Sequence, residues 1–144
     1  MKWRQLTKLK NKSKFLDLFR EMINKIRSHV PLKAVILFGS HVRGTAHKFS
    51  DYDLVIIADF QEEYFDRSAW ISEFTPFVSV DLFCYTPEEF EELFKSYNLT
   101  AIDAIGEGIV LFGDDYIAPY KKRYKDFIRR GMRKTKCVLI PPSQ

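Results

Sequence analysis

The feature that most constrains this fold is a short, continuous apolar run that ends in two small residues. The run Ala34-Val35-Ile36-Leu37-Phe38 has the length of a strand, and Gly39-Ser40 follows it directly. A run without polar residues predicts a strand that is buried on both faces, in the middle of a sheet. Glycine lets the backbone approach a ligand closely, and the free N–H groups at the start of a helix attract anions such as phosphate. A Gly-Ser pair after a strand is also typical of an ordinary turn, so this pair alone does not decide between the two.

The rest of the chain alternates between helical and strand-like patterns. Apolar residues at spacings of three and four predict helices over 13–29, 61–74, Pro87–Lys95 and 115–130, and shorter turns of helix over 42–48 and 101–105. Strands are predicted over Tyr52–Ala58, 77–85 and Ile109–Phe112, with a further edge strand over 137–140. This alternation predicts an α+β fold, with a small mixed sheet packed against helices on the face away from the site.

Single residues fix two of the helix ends. Thr86 can cap the helix that begins at Pro87, since proline fits the first turn and Glu89 occupies the capping-box position. Gly131 is predicted to cap the end of the last helix.

The charge is segregated along the chain. Residues 1–14 and 121–136 together hold 15 of the 23 Lys and Arg residues but only one of the 19 acidic residues, Asp126. The acidic body suits a site that gathers divalent cations, and the basic ends suit a polyanion or an acidic partner. Basic helix faces that are merely solvated would give the same pattern, and both interpretations stay open.

Length and composition exclude several classes of protein. At 144 residues, with 46% hydrophobic residues, the chain fits one domain with a single core, with no linker and no repeats. No apolar run approaches the ~20 residues that cross a bilayer, and no apolar segment follows the basic start as in a signal peptide. Cys84 and Cys137 are too few for a disulfide framework, so we expect a cytoplasmic protein.

Three acidic residues could carry chemistry. Asp51 and Asp53 lie two residues apart on a strand, so their side chains share one face and repel each other unless a cation lies between them. Carboxylate oxygens suit Mg²⁺ or Mn²⁺, although two acids in solvent at the start of a strand would look the same. Asp81 lies within an apolar strand, where a charge is costly unless a partner compensates it. A neighbouring strand would bring it to the same metals, as two-metal phosphoryl transfer requires.

The motif resembles a known signature. Leu37-Phe38-Gly39-Ser40 and Ser50-Asp51-Tyr52-Asp53, with ten residues between Ser40 and Asp51, are similar to the GS-x10-DxD pattern of the minimal nucleotidyltransferases of the DNA polymerase beta superfamily. The Arg43-Gly44 pair and the strand around Asp81 also match, and the resemblance covers 34–83 closely and continues over 106–112. One departure is His41, where relatives often carry Arg, which weakens the case for a phosphate contact there.

The resemblance implies a fold and a role for each site residue. The fold would be the polymerase-beta-like nucleotidyltransferase fold, with one domain over 1–144, a catalytic core at about 33–113, and a basic helix and tail at about 115–144. Gly39 and Ser40 would bind the β- and γ-phosphates, and Arg43 would either touch the triphosphate or form a structural salt bridge. Asp51 and Asp53 would bind both metal ions. Asp81 would complete one metal site and help to deprotonate the acceptor hydroxyl. His29, His41 and His47 show no ligand spacing and receive no metal.

Within this superfamily, short stand-alone members resemble the antitoxin of HEPN–MNT toxin–antitoxin pairs. The resemblance implies transfer of AMP from ATP to a hydroxyl, typically of tyrosine, on a HEPN-type ribonuclease toxin. A small-molecule (antibiotic) nucleotidyltransferase is an alternative, although such enzymes usually carry a further helical domain. A non-catalytic nucleotide- or RNA-binding subunit is another, because the last helix interleaves basic residues with aromatic ones. At helical spacing, however, those aromatic residues are more typical of a core.

Overall fold

The structure is a computed structural model that describes residues 3–47, 50–76, 78–135 and 138–144, with side chains from residue 12 onward. The helices are α1 (Trp3–His29), α2 (Ser40–Arg43), α3 (Tyr64–Ile71), α4 (Pro87–Lys95), α5 (Leu99–Glu107) and α6 (Asp114–Arg129). The strands are β1 (Leu32–Phe38), β2 (Tyr52–Ala58), β3 (Val80–Tyr85), β4 (Ile109–Phe112), β5 (Arg133–Lys134) and β6 (Leu139–Ile140). A single 3₁₀ turn, Ser72–Phe74, extends α3.

Four strands form a mixed sheet in the order β3-β2-β1-β4. The predicted central position of the first apolar run is confirmed, since β1 is antiparallel to both of its neighbours, β2 and β4. Strand β3 runs parallel to β2, and α3 lies in the connection between them. The predicted α+β class with a mixed sheet is therefore confirmed. The strands β5 and β6 pair only with each other, so the predicted tail strand does not join this sheet, and its first residue, Cys137, lies outside the described residues.

Helices cover both faces of the sheet, which corrects the expectation that they occupy only the face away from the site. Alternate strand residues such as Leu37 and Ile56 pack against α1 and α3. The intervening residues, such as Ile36 and Val55, pack against α4, α5 and α6. Because all of these strand residues are fully buried, the sheet requires a helical layer on each side.

The aromatic residues of α6 belong to this second layer. Tyr120 and Phe127 are buried and contact Phe94 of α4, while Tyr116 and Tyr124 pack on the same cluster. The interpretation of these residues as core is confirmed. Among the described helices, none is long and apolar enough to cross a membrane.

Capping residues account for the helix ends that the sequence predicted, and for one that it did not. The predicted capping box of α4 is present, with the Glu89 amide donating to Thr86 Oγ1 at 3.2 Å and the Thr86 amide donating to Glu89 Oε1 at 2.8 Å. Gly131 follows the end of α6 with φ +102°, as a glycine after a helix does. Helix α5 is longer than the predicted turn over 101–105, because the Asn98 side chain caps it by accepting from the Ala101 amide.

Candidate active site

The sheet topology brings the predicted site residues to one edge of the sheet. Strand β1 ends at the edge where β2 and β3 begin, because it is antiparallel to β2 and β2 is parallel to β3. Phe38 therefore pairs with Asp53, and Asp53 pairs with Asp81. The Gly39 turn, Asp53 near the start of β2 and Asp81 near the start of β3 become neighbours, although they are far apart in sequence.

Gly39 occupies a backbone conformation that only glycine adopts readily. Its φ of +89° and ψ of −157° fall in a region that is closed to other residues by steric clash. A Cβ at this position would also overlap the carboxylate of Asp53. The turn therefore passes directly against Asp53. Helix α2 begins at Ser40, and the Gly39 carbonyl accepts hydrogen bonds from the amides of Val42 and Arg43.

Asp53 is the most perturbed carboxyl group of the site. Burial raises the pKa of Asp53 above its ordinary value of 3.8, and the negative charges of Asp81 and Asp51 raise this pKa further. Arg43 lowers the same pKa, whereas a hydrogen bond with the Asp81 side chain raises it. Asp53 and Asp81 are register partners on adjacent strands, and Asp51 is close enough to repel the Asp53 carboxylate. A cation bound beside these carboxylates would favour the ionised form of Asp53.

Asp81 is positioned differently from what its apolar flanks suggested. It is exposed, as the second residue of the edge strand β3, so its charge does not incur the desolvation cost expected inside an apolar strand. Asp51 is half-buried and immediately precedes β2. Within the described residues, no Lys or Arg forms an ion pair with Asp51, Asp53 or Asp81.

A family model, the nucleotidyltransferase domain, matches residues 19–130. The chain belongs to the nucleotidyltransferase domain family. The nucleotidyltransferase assignment predicted from the motif spacing is confirmed, and the match includes the turn at Gly39, all three aspartates and the whole of α6.

Several solved structures are similar to this nucleotidyltransferase. A Sulfolobus solfataricus protein to which a nucleotidyltransferase role is provisionally attributed has a TM-score of 0.48 and 21% identity, over 72% of this chain and 84% of that one. A toxin–antitoxin complex with AMP-PNP has a TM-score of 0.42 and 19% identity, over 76% and 92% of the two chains. A complex of tri-AMPylated Shewanella oneidensis HEPN toxin with MNT antitoxin has a TM-score of 0.34 and 17% identity, over 85% and 93%. At these values the similarity carries no argument about activity. No curated protein matched the chain.

The donor set of this nucleotidyltransferase fits a divalent cation that is shared with a substrate. Nucleotidyltransferases generally use divalent metal ions. Among the described residues, no three His, Cys, Asp or Glu side chains form a group that could hold a metal ion alone. Magnesium is commonly bound by one or two carboxylates together with substrate phosphates, rather than by a cage of protein ligands. The paired residues Asp53 and Asp81 supply two such carboxylates, and Asp51 lies nearby.

Arg43 forms the salt bridge that the sequence left as one of two possibilities. Its Nη1 lies 3.2 Å from Oε2 of Glu107, at the end of α5. Glu107 in turn lies 3.9 Å from Nζ of Lys134 in β5. The Arg43 side chain is still substantially exposed, and it is close enough to lower the pKa of Asp53. The contact of Arg43 with a nucleotide therefore stays a prediction.

Proposed function

We propose that this nucleotidyltransferase moves AMP from ATP to a hydroxyl group on a partner protein. The observation that carries the proposal is the register pairing of Asp53 with Asp81 on adjacent strands, beside the Gly39 turn that passes against Asp53, in a domain of this family. A cluster of carboxylates that repel one another, beside a glycine that leaves room for a ligand, suits a metal-bound polyphosphate.

The phosphate groups would bind at the turn between β1 and α2. Gly39 allows the backbone to approach the β- and γ-phosphates, and Ser40 adds a hydroxyl donor. Arg43 would exchange its exposed salt bridge with Glu107 for a triphosphate oxygen, since an exposed ion pair contributes little free energy.

Asp51, Asp53 and Asp81 would hold two Mg²⁺ ions, or Mn²⁺ in their place. When bound, these ions would neutralise charge on the triphosphate and on the leaving group. The acceptor oxygen attacks the α-phosphorus, the bond from that phosphorus to the bridging oxygen breaks, and pyrophosphate leaves. The exposed Asp81 carboxylate accepts the proton of the attacking hydroxyl.

We further propose that the acceptor is a hydroxyl, typically of tyrosine, on a HEPN-type ribonuclease toxin, and that the chain is its antitoxin. The motif resemblance to minimal nucleotidyltransferases supports this partner. The exposure of Asp81 on an edge strand supports access for a flexible segment of another chain. The proposal places the reaction in the cytoplasm, which is consistent with the free thiol of Cys84.

The test is intact-mass spectrometry of the purified HEPN-type partner after incubation with the chain, ATP and Mg²⁺. We expect the partner to gain the mass of AMP, and Asp81→Asn to prevent the gain. Asp66→Asn, an exposed carboxylate on α3, is the matched control and should leave the gain intact. If AMP is transferred only to small alcohols, the acceptor is a small molecule rather than a protein. Tight ATP binding without transfer to any acceptor would instead assign the chain as a non-catalytic subunit.

A further inference from the structure

His41 directly follows Gly39-Ser40, the proposed phosphate-binding turn. Its ring, however, contacts β2, the strand that carries Asp53 and that we call the aspartate strand. The imidazole stacks on the ring of Tyr52 with 3.7 Å between ring centroids and 7° between ring planes. Its Nε2 lies 3.0 Å from the carbonyl oxygen of Ser50. A carbonyl oxygen can only accept, so Nε2 carries the proton in this hydrogen bond. His41 thus holds both residues that flank Asp51.

Tyr52 connects this contact to the rest of the site. It lies between Asp51 and Asp53, and strand alternation directs its ring away from the two carboxylates. On that rear face the ring also makes edge contacts with Phe15 and Phe19 of α1, at 6.2 Å and 5.6 Å between centroids. Its backbone amide donates to the Ser79 carbonyl at 2.8 Å, two residues before Asp81.

We propose that His41 is a positioning residue that joins the phosphate-binding turn to the aspartate strand through Tyr52 and Ser50. The three carboxylates repel one another when no cation is bound, so packing behind them must keep Asp51 and Asp53 in register with the turn. The stack fixes the distance between the turn and the strand. The hydrogen bond fixes the backbone immediately before Asp51. This inference rests on the proposed function, because it assigns the placement of the proposed metal ligands.

Three substitutions separate the two contacts of His41. His41→Phe keeps a flat ring on Tyr52 but removes the donor to Ser50. His41→Leu removes both contacts. His41→Arg retains both, because a guanidinium group is planar, stacks on aromatic rings and donates hydrogen bonds. Tyr52→Phe keeps the ring and serves as a matched control on the partner side of the stack.

The first measurement is amide hydrogen exchange over residues 50–53 in the protein without nucleotide, which does not depend on any activity. Loss of one hydrogen bond is expected to speed exchange about fivefold in His41→Phe. His41→Leu should exceed that value, and His41→Arg should stay within about twofold of the unsubstituted protein. Exchange in His41→Phe that equals the unsubstituted protein would overturn the positioning role.

The second measurement is the Mg²⁺ concentration that gives half-maximal AMP transfer, together with the KM for ATP. A positioning role predicts that His41→Phe raises the Mg²⁺ requirement about fivefold and lowers kcat, while the KM for ATP at saturating Mg²⁺ changes less than twofold. A rise in KM that is equal in the Phe and Leu variants and reversed only by Arg would mean that residue 41 contacts the phosphates, which overturns the inference. If no acceptor is modified at all, the proposed function fails, while the exchange measurement still decides the role of His41.

Discussion

Replacement of Asp53 by Asn should stabilise the metal-free protein while removing its activity. The Asp53 carboxyl pairs with Asp81 across β2 and β3 and is repelled by Asp51 as well. Like charges that face each other across strands destabilise a sheet by about 0.2–1 kcal/mol per pair. Because the site is partly exposed, we expect a gain of about 1 kcal/mol in the free energy of unfolding, or about 3 °C in Tm for a chain of this length.

The same change should lower the transfer rate about a thousandfold. A neutral amide is a poor ligand for a hard dication, and a loss of about 4 kcal/mol of transition-state stabilisation corresponds to that factor. The assays are thermal unfolding in EDTA and AMP transfer in Mg²⁺. Asp59→Asn is the matched control, since Asp59 follows the opposite end of β2 and lies 3.7 Å from Nζ of Lys33. Loss of that exposed pair should cost at most about 0.5 kcal/mol and leave transfer intact. A destabilised Asp53→Asn protein would refute the proposed repulsion, and an active one would refute metal catalysis at this site.

The pH dependence follows from the raised pKa of Asp53. The folded protein holds a proton on this group at pH values where the unfolded chain has already released it. Stability in EDTA should therefore fall as the pH rises from about 4 through the raised pKa of Asp53, and then level off. Asp53→Asn should remove this part of the pH profile. Mg²⁺ should reverse the loss above that pKa, because the cation requires the ionised carboxylates.

Two further predictions concern glycine and a buried arginine. Gly39→Ala should cost about 3 kcal/mol and abolish nucleotide binding, because the φ of Gly39 is positive and the added Cβ would overlap the Asp53 carboxylate. Gly44→Ala should cost only about 1 kcal/mol. Gly44 also has a left-handed φ, of +78°, but no atom lies within 4 Å of the added Cβ. Equal losses of Tm in the two variants would contradict this account. Arg67 is 5% exposed, and its guanidinium donates to the Cys84 carbonyl at 3.0 Å and to the Glu89 carboxylate. Arg67→Met should cost about 2 kcal/mol in urea unfolding, because the Cys84 carbonyl and Glu89 lose their donor; a cost below about 0.5 kcal/mol would show that these hydrogen bonds contribute little.

The sequence predicted the elements whose signals are local. The bounds of β2, α4 and β4 agree with the predicted ranges, because each is an apolar or capped segment that ends at a residue with a clear backbone preference. Strand β3 begins at Val80 rather than at 77, a position that lies outside the described residues. Helix α1 begins ten residues before the predicted start, since the basic stretch ahead of residue 13 lacks the apolar spacing on which the prediction relied.

Features that depend on the pairing of distant segments could not be predicted. Arg67 reads as one charged residue on a surface helix, and only the tertiary fold brings it to the capping residue Glu89. The packing of helices on both faces of the sheet could not be predicted for the same reason. A strand without polar residues indicates that both of its faces are buried, but not which helices cover them. His41 is a departure from the motif, and nothing in the sequence predicts that its ring stacks on Tyr52.

The division of the site between the two faces of the sheet has a physical reason. Asp51 and Asp53 can meet Asp81 and a cation only if all three carboxylates share a face, and this arrangement repels itself when the cation is absent. The same alternation that directs the acids to one face directs Tyr52 to the other, against Phe15 and Phe19. Burial of these aromatic rings is favourable whether or not a cation is bound, so it can hold the strand in place against the repulsion. Tyr52, the residue between the two aspartates, therefore has a role of its own. It connects the strand that carries the carboxylates to a core that does not depend on the cation.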